Sequence, residues 1–337
     1  MSTTELFEVA RALSLDPVAL LRGQERFRVV PSVFLRHAGH QDFDDRDHAV
    51  LDDALTAGQA LAGLRARLGQ PEAALQAGVF APSSAMADHG VAPAHDGYRL
   101  ARRVRAWVGD TSGPIGDLCV LLEERFGIAV LVRDLATARG TAASVRAGDA
   151  AAIVLNARDP HRRSNALLGR VHLAHELCHL LFDPSDGGLS IVVDLDGDKR
   201  THAAEQRARA FAAEFLLPLP GLVALLGDPR GVSALDMAIA LVARARSQFG
   251  TPHEIAVNHL CNLGFIDHRL REHVAAETST FAGLAPTMSL PDVGRVSLLV
   301  RRYVQRAHED GLVTDGEAKE LLGLDRLDRL PWDEVAL

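Results

Sequence analysis

The chain has 337 residues, 47% hydrophobic and 24% charged, with a formal net charge of −8. This is the composition of a soluble globular protein long enough for two or three compact units, and its acidic balance argues against a nucleic-acid binder as a whole. No signal peptide and no bilayer-spanning apolar run is legible. The three cysteines, Cys119, Cys178 and Cys261, are odd in number and far apart, which suits a reducing cytoplasm better than a disulfide framework.

At the N-terminus, Leu6, Val9, Ala10 and Leu13 recur at helical spacing, and Asp16 and Pro17 can serve as N-cap and first residue of a second helix. Residues 44–77 read as mostly helical through Val50, Leu51, Ala54, Leu55, Leu61, Leu64 and Leu68. The stretch 80–97 is rich in Pro, Gly, Ala and Ser and reads as a linker. Helices are predicted over 99–108 and 115–126. Short β-type runs follow at 128–132 and 153–155, with 144–146 a weaker candidate between them and 191–193 a further strand.

Residues 165–182 form an apolar helical stretch containing His175-Glu176-x-x-His179. Residues four apart share one helix face, so the two imidazoles can aim at one point. Glu176 sits beside that point without having to bind a metal, where it can take a proton from an activated water. Leu173, Leu177, Leu180 and Leu181 can anchor the helix in a core. A bare H-E-x-x-H arises by chance on helices with two surface histidines, but that reading leaves the apolar setting unexplained.

A catalytic zinc site needs a third protein ligand and an open fourth position. A third histidine six residues after the second is excluded, because Phe182 and Ser185 occupy the required places. The next helical stretch, 201–217, carries Ala208, Phe211, Ala212, Phe215 and Leu216 at helical spacing and is closed by Pro218. Glu205, one turn before Ala208, is favoured as the ligand on face geometry; Glu214 is the competitor, and Glu205 could instead simply complement the helix dipole. Asp194, Asp196, Asp198 and Glu205 mimic an EF-hand spacing, but Lys199 stands where the sharp turn needs glycine and a strand precedes the run. The simpler reading is a turn at Asp196-Gly197. Helices are predicted over 232–249 and 252–263. In the tail, Val296, Leu299, Val300, Tyr303, Val304 and Ala307 form one helical face ended by Gly311, and 315–324 forms a second short helix. Packing of this pair on the core, with Trp332 as an anchor, is favoured over docking of a partner.

These residues resemble the ImmA/IrrE family of zinc metallopeptidases over residues 98–267, about half of the chain. The likeness is carried by Arg170 through Leu181 around the two histidines and by Glu205, Ala208, Phe211, Ala212, Leu216, Leu217 and Pro218. Upstream, the stretches 113–130 and 152–156 are also similar. Cys178 stands where the family usually has glycine, Arg209 where it has asparagine, and Val171 and His172 where it has an aromatic residue and threonine. None of these departures removes a ligand or the base. Cys178 is favoured as a small buried thiol, whereas His172 suits a hydrogen bond near the site or a pocket wall equally well. The N-terminal segment resembles the last helices of an Xre-type helix-turn-helix domain, without the preceding recognition helix, so direct DNA binding by this chain is not expected.

The resemblance implies Zn2+ at His175, His179 and Glu205, with Glu176 as general base. The predicted architecture is α+β and predominantly helical: a zincin-like metallopeptidase core with a small sheet, flanked by helical N- and C-terminal regions. The expected organisation is 1–30, helix-turn-helix remnant; 31–79, helical segment; 80–97, linker; 98–270, zinc peptidase domain; and 271–337, C-terminal helical region. The edge strand of the sheet is suited to pairing with an extended peptide. Oxyanion stabilisation falls to His253, His259, His172 or Arg170, unranked. The resemblance also implies the role: a cytoplasmic, site-specific endopeptidase cleaving a protein substrate, a helix-turn-helix repressor, to switch on a stress or mobile-element response. The alternative is a non-proteolytic zinc-binding sensor acting through protein–protein contacts, against which the intact Glu176 argues.

Overall fold

The computed structural model describes residues 45–75, 77–80, 92–135, 140–159, 167–183, 189–195, 203–277, 292–294, 296–325 and 327–333. The readings made for 5–23 and for the turn at Asp196-Gly197 lie outside them.

The centre of the molecule is a four-stranded sheet of β1 (Ala129–Arg133), β2 (Gly140–Ala147), β3 (Ala150–Asn156) and β4 (Leu189–Leu195), in the order β1-β3-β2-β4. β1 runs parallel to β3, with Val130 opposite Ile153. β2 is antiparallel to both neighbours, so Ser144 lies between Ile153 and Val192. β2 extends well beyond the 144–146 run expected of it. Its alanines have weak strand propensity, and pairing on both sides overrides that weakness. Gly148, at φ +56°, supplies the positive φ for the tight turn into β3.

Along β3 the side chains alternate between two cores. Ala151, Ile153 and Leu155 face one cluster, and Ala150, Ala152 and Val154 face the other. All of β3 is buried, which explains why its sequence is continuously apolar rather than alternating with polar residues.

The first core lies between the sheet and α2 (Pro93–Val108), α4 (Leu168–Phe182) and α5 (Ala203–Leu216), with α3 (Leu118–Leu121) and a π-helical turn, Leu122–Phe126, at its end. α2 starts earlier than the predicted 99–108 and takes in residues read as linker. Pro93 is tolerated in the first turn, and Gly97 is there because α2 crosses α5 closely. A Cβ on Gly97 would collide with the Arg207 carbonyl and come within 2.8 Å of the Phe211 nitrogen.

The second core lies on the opposite face, under α1 (Asp45–Arg67). Here a Cβ on Gly58 would meet the Ala151 backbone at 2.7–2.9 Å. α10 (Leu298–Glu309) and α11 (Asp315–Leu322) complete this face through Val300, Val304, Ala307, Ala318 and Leu322. The tail pair therefore packs on the core, with Trp332 against the same cluster and 5.6 Å from His308.

A third cluster joins α6 (Leu219–Leu226), α7 (Leu235–Phe249), α8 (His253–Asn262) and α9 (Arg271–Ala276) around Leu222, Val242, Phe249, Leu260 and Phe265. The whole is a predominantly helical, zincin-like α+β fold. Among the described residues no single helix is long and apolar enough to cross a membrane.

Candidate metal centre

α4 is held from every side. Leu173, Ala174, Leu177, Cys178, Leu180, Leu181 and Phe182 are all buried, so the helix reads as apolar all round rather than amphipathic. At its start the buried Arg170 donates to the carbonyls of Gly116 (2.8 Å) and Ile115 (2.6 Å), tying the helix to the loop before α3. α5 packs alongside through Ala208, Phe211, Ala212 and Phe215, with Phe182 and Phe211 rings 6.0 Å apart. Two rigid helices thus present His175 and His179 from one side and Glu205, in the first turn of α5, from the other.

The three ligand atoms lie within 4.8 Å of one another. His175 Nε2 and His179 Nε2 are 3.0 Å apart. Glu205 Oε2 is 3.3 Å from His175 Nε2, and Glu205 Oε1 is 3.4 Å from His179 Nε2. A tetrahedron with bonds of 2.0–2.1 Å has edges of about 3.3 Å. Two imidazoles and a carboxylate at this spacing, on buried or half-buried side chains, therefore fit one small divalent cation.

Asp183, at the C-terminal end of α4, lies 2.6 Å from His179 Nδ1 through Oδ2. A carboxylate accepts, so the Nδ1 proton points at Asp183 and Nε2 is left to face the cluster. Asp183 Oδ1 also pairs with Arg207, two residues after Glu205 on α5. Burial opposes protonation of His179, but its hydrogen bonds to Asp183 and Glu205 and the negative charges of Glu176 and Asp183 outweigh it, and its pKa is pushed up to about 10. Hydrogen bonds from His175 and His179 hold Glu205 far below the usual carboxylate range. The cluster is thus a concentrated acceptor of positive charge.

Glu176 is fully buried on α4, and its Oε2 accepts a 2.6 Å hydrogen bond from the buried Ser144 Oγ on β2. The carboxylate is close enough to His179 to favour the protonated imidazole.

Glu214, the competing ligand candidate, is placed elsewhere. It is fully buried and accepts from Arg102 Nε (2.7 Å) and the Leu219 amide (3.2 Å), with His259 at 3.3 Å. Burial would raise its pKa, but His259 and Arg102 outweigh that and lower it. It pins the end of α5 to α2 and α8.

Of the groups considered for oxyanion stabilisation, Arg170 spends both Nη atoms on carbonyls, His253 Nε2 donates to Val274 (2.8 Å) and His259 Nε2 to Leu217 (3.0 Å). His172 stands one turn before the cluster, 3.9 Å from the buried Asp159. Cys178 is wholly buried, and burial pushes its thiol well above the ordinary range, as a small core residue requires.

Ser144, Asp183 and Arg207 were not singled out in the sequence. Asp183 carried a signal, since it is four residues after His179 on the same helix face. Arg207 and Ser144 depend on helix crossing and strand register, which no local pattern encodes.

Residues 123–260 match the family model described as Peptidase_M78, IrrE N-terminal-like domain. The matched stretch runs from the π-helical turn to α8 and encloses the sheet, α4 and α5. The class defined by fold and site together is a metallopeptidase-like α+β domain. Over this stretch the chain is similar to the peptidase domain of the ImmA/IrrE family. A search of curated proteins gave no match.

Proposed function

We propose that this chain is a zinc-dependent, site-specific endopeptidase, with His175, His179 and Glu205 holding the metal and Glu176 acting as general base. The observation that carries the reading is the convergence of two imidazole nitrogens and one carboxylate within 4.8 Å, with Glu176 close enough to His179 to favour its protonated form. Zinc, when bound, supplies a Lewis acid that makes water nucleophilic near neutral pH and polarises the scissile carbonyl. The protein's own part is positioning and proton transfer. Ser144 holds Glu176 Oε2, which fixes the carboxylate so that it can take the proton of the attacking water and return it to the leaving amine. Of the four oxyanion candidates we assign the role to His172, because Arg170, His253 and His259 are engaged with backbone carbonyls. Among the described residues β4 is an end strand of the sheet, next to β2, and an extended substrate segment is suited to its other edge.

The substrate in this reading is a helix-turn-helix repressor protein, and its cleavage switches on a stress or mobile-element response. Three buried free cysteines suit a cytoplasmic setting. In this organisation the peptidase domain spans 98–270, with 31–79 and 271–337 as helical segments around it.

A second reading draws on one observation. Glu176 is fully buried and hydrogen-bonded to Ser144, as suits a zinc-holding sensor that cleaves nothing. Incubation of the zinc-loaded protein with the repressor encoded beside its gene separates the two. In the first reading wild type cuts once, and Glu176→Gln slows cleavage by about 10²–10⁴-fold while keeping its zinc. Zinc-loaded wild type that cuts no such repressor supports the sensor.

A further inference from the structure

Four side chains, in two pairs on adjacent helices, meet at the cluster. His179 lies in the last turn of α4 and Asp183 caps its C-terminal end, four residues on, and Glu205 and Arg207 lie two residues apart on α5. Within each pair the first residue faces the metal position and the second faces the opposite helix. Asp183 links the pairs by gripping His179 twice and Arg207 once. Its backbone N–H donates to the His179 carbonyl at 3.0 Å, its Oδ2 accepts from His179 Nδ1 at 2.6 Å, and its Oδ1 accepts from Arg207 Nη2. Both ends of the Asp183–Arg207 pair are largely withdrawn from solvent, at 15% and 13% side-chain exposure. An ion pair so placed is screened far less than one on the surface.

From these contacts we propose that Asp183 and Arg207 form a clamp that holds His179 in its metal-binding tautomer and fixes the separation of the two ligand-bearing helices. They are positioning residues, and neither touches the metal position. The inference rests on the zinc reading above. Its physical basis is that a histidine donating Nδ1–H to a carboxylate has one ring orientation and a more basic Nε2. Arg207 acts through Asp183: it neutralises the carboxylate, holds its second oxygen and thereby stops it rotating away from the imidazole. The same bond ties the C-terminal end of α4 to the first turns of α5. Glu205 cannot drift from the histidines without breaking it. Close packing of α2 on the Arg207 backbone, which Gly97 permits, holds α5 at the same residue.

The test is zinc affinity by competition with a chelator in wild type, Asp183→Ala, Asp183→Asn, Arg207→Ala and the double variant Asp183→Ala/Arg207→Ala, with His175→Ala as the ligand control. Asp183→Ala should weaken zinc by about 10–100-fold. Arg207→Ala should lose less, and the double variant should bind no worse than Asp183→Ala alone, because one residue works through the other. Asp183→Asn, which keeps an acceptor for Nδ1–H but no charge for Arg207, should fall between wild type and Asp183→Ala. A second readout is histidine nitrogen NMR of the cadmium-loaded protein. Wild type should show His179 bound through Nε2 with a slowly exchanging Nδ1 proton, and Asp183→Ala should lose that slow exchange.

Metal-free circular dichroism shows which variants fold. If Asp183→Ala does not, the isosteric Asp183→Asn decides, and wild-type affinity with an unchanged Nδ1 proton overturns the clamp. So does Asp183→Ala affinity within about twofold of wild type while His175→Ala loses its zinc. A wild type that binds no zinc overturns the zinc reading and the clamp with it.

Discussion

On one face of the sheet, His175, His179 and Glu205 aim their ligand atoms at a common point. On the other, a second buried polar group has turned inward on itself. Glu123, in the π-helical turn, accepts from the Val130 amide (3.2 Å) and from Ser297 Oγ (2.6 Å). Arg65 of α1 donates to the Glu123 carbonyl (3.3 Å), the Pro71 carbonyl (2.8 Å) and Tyr303 Oη (3.4 Å). Both groups bury charge, which costs several kcal/mol per ion unless it is compensated. In the second, donors and acceptors of the chain are paired with one another. In the first, three ligand atoms converge on one point, where a single cation can take the place of the protons that the histidines share with Glu205. Burial and charge alone therefore do not separate a binding site from a structural network; the convergence of ligand atoms on one point does.

Zinc should split the two faces most widely. At a thousandfold excess over its dissociation constant, a ligand that binds only the native state adds about 4 kcal/mol of stability. In thermal melts of wild type this should appear as a zinc-dependent rise in Tm. His175→Ala and Glu205→Ala should abolish it, and Glu123→Gln should leave it intact. A zinc-dependent rise that survives in Glu205→Ala would remove Glu205 from the ligand set, and no zinc-dependent rise in wild type would leave the first face as self-contained as the second.

Core truncations sharpen the same contrast at similar size. Phe211 on α5 and Leu51 on α1 are both fully buried, one on each face. Phe211→Ala should cost about 3–5 kcal/mol and Leu51→Ala about 2–5 kcal/mol in denaturant unfolding. Phe211 packs against Phe182 and Phe215, between the two ligand helices. Its loss should therefore also weaken zinc binding, whereas Leu51→Ala should not. Equal effects on zinc would mean that the site senses global stability rather than the crossing of α4 and α5.

How far the sequence already revealed these faces follows from the range of each signal. The two histidines and Glu176 were legible because a four-residue spacing is a local property of helices. Glu205 was favoured over Glu214 from helix face alone, and the structure sets the two apart: Glu205 lies against both histidines, and Glu214 is bound by Arg102 and His259. β3 could be read from its apolar run, but β2 was undervalued, since alanine-rich strands are made by their neighbours. The Glu123 network was not visible at all. It joins residues 58 and 174 positions apart along the chain, and neither partner type announces a role. Helix α2 was cut short because the glycine and proline that read as linker serve here as a close-packing contact and a first-turn residue.

The pH dependence of stability tests the second face directly. Burial raises the Glu123 pKa from 4.5 to about 7, against the lowering effect of Ser297 and the Val130 amide. The native state therefore keeps this proton to higher pH than the unfolded chain. The resulting stabilisation is fully present below about pH 4.5 and is lost as pH rises through about 7. At 1.36 kcal/mol per unit the whole effect is of order 3 kcal/mol. Comparison of unfolding free energies at pH 5 and pH 8 should show this fall in wild type and a much smaller one in Glu123→Gln. An identical fall in both would assign the pH dependence to other groups.

Ser297→Ala is the smallest and most discriminating of these changes. Ser297 Oγ both caps α10, by accepting from the Val300 amide at 3.1 Å, and donates to Glu123. Losing the cap costs about 1 kcal/mol at any pH. Losing the bond to Glu123 matters most when the carboxylate is ionised, because that bond favours the charged form. The destabilisation by Ser297→Ala should therefore be larger at pH 8 than at pH 5. In the Glu123→Gln background the pH difference should vanish, while the cap cost remains. If the cost of Ser297→Ala is the same at both pH values, Ser297 acts on this face as a helix cap alone, and the tail helices are held by packing without help from the buried carboxylate.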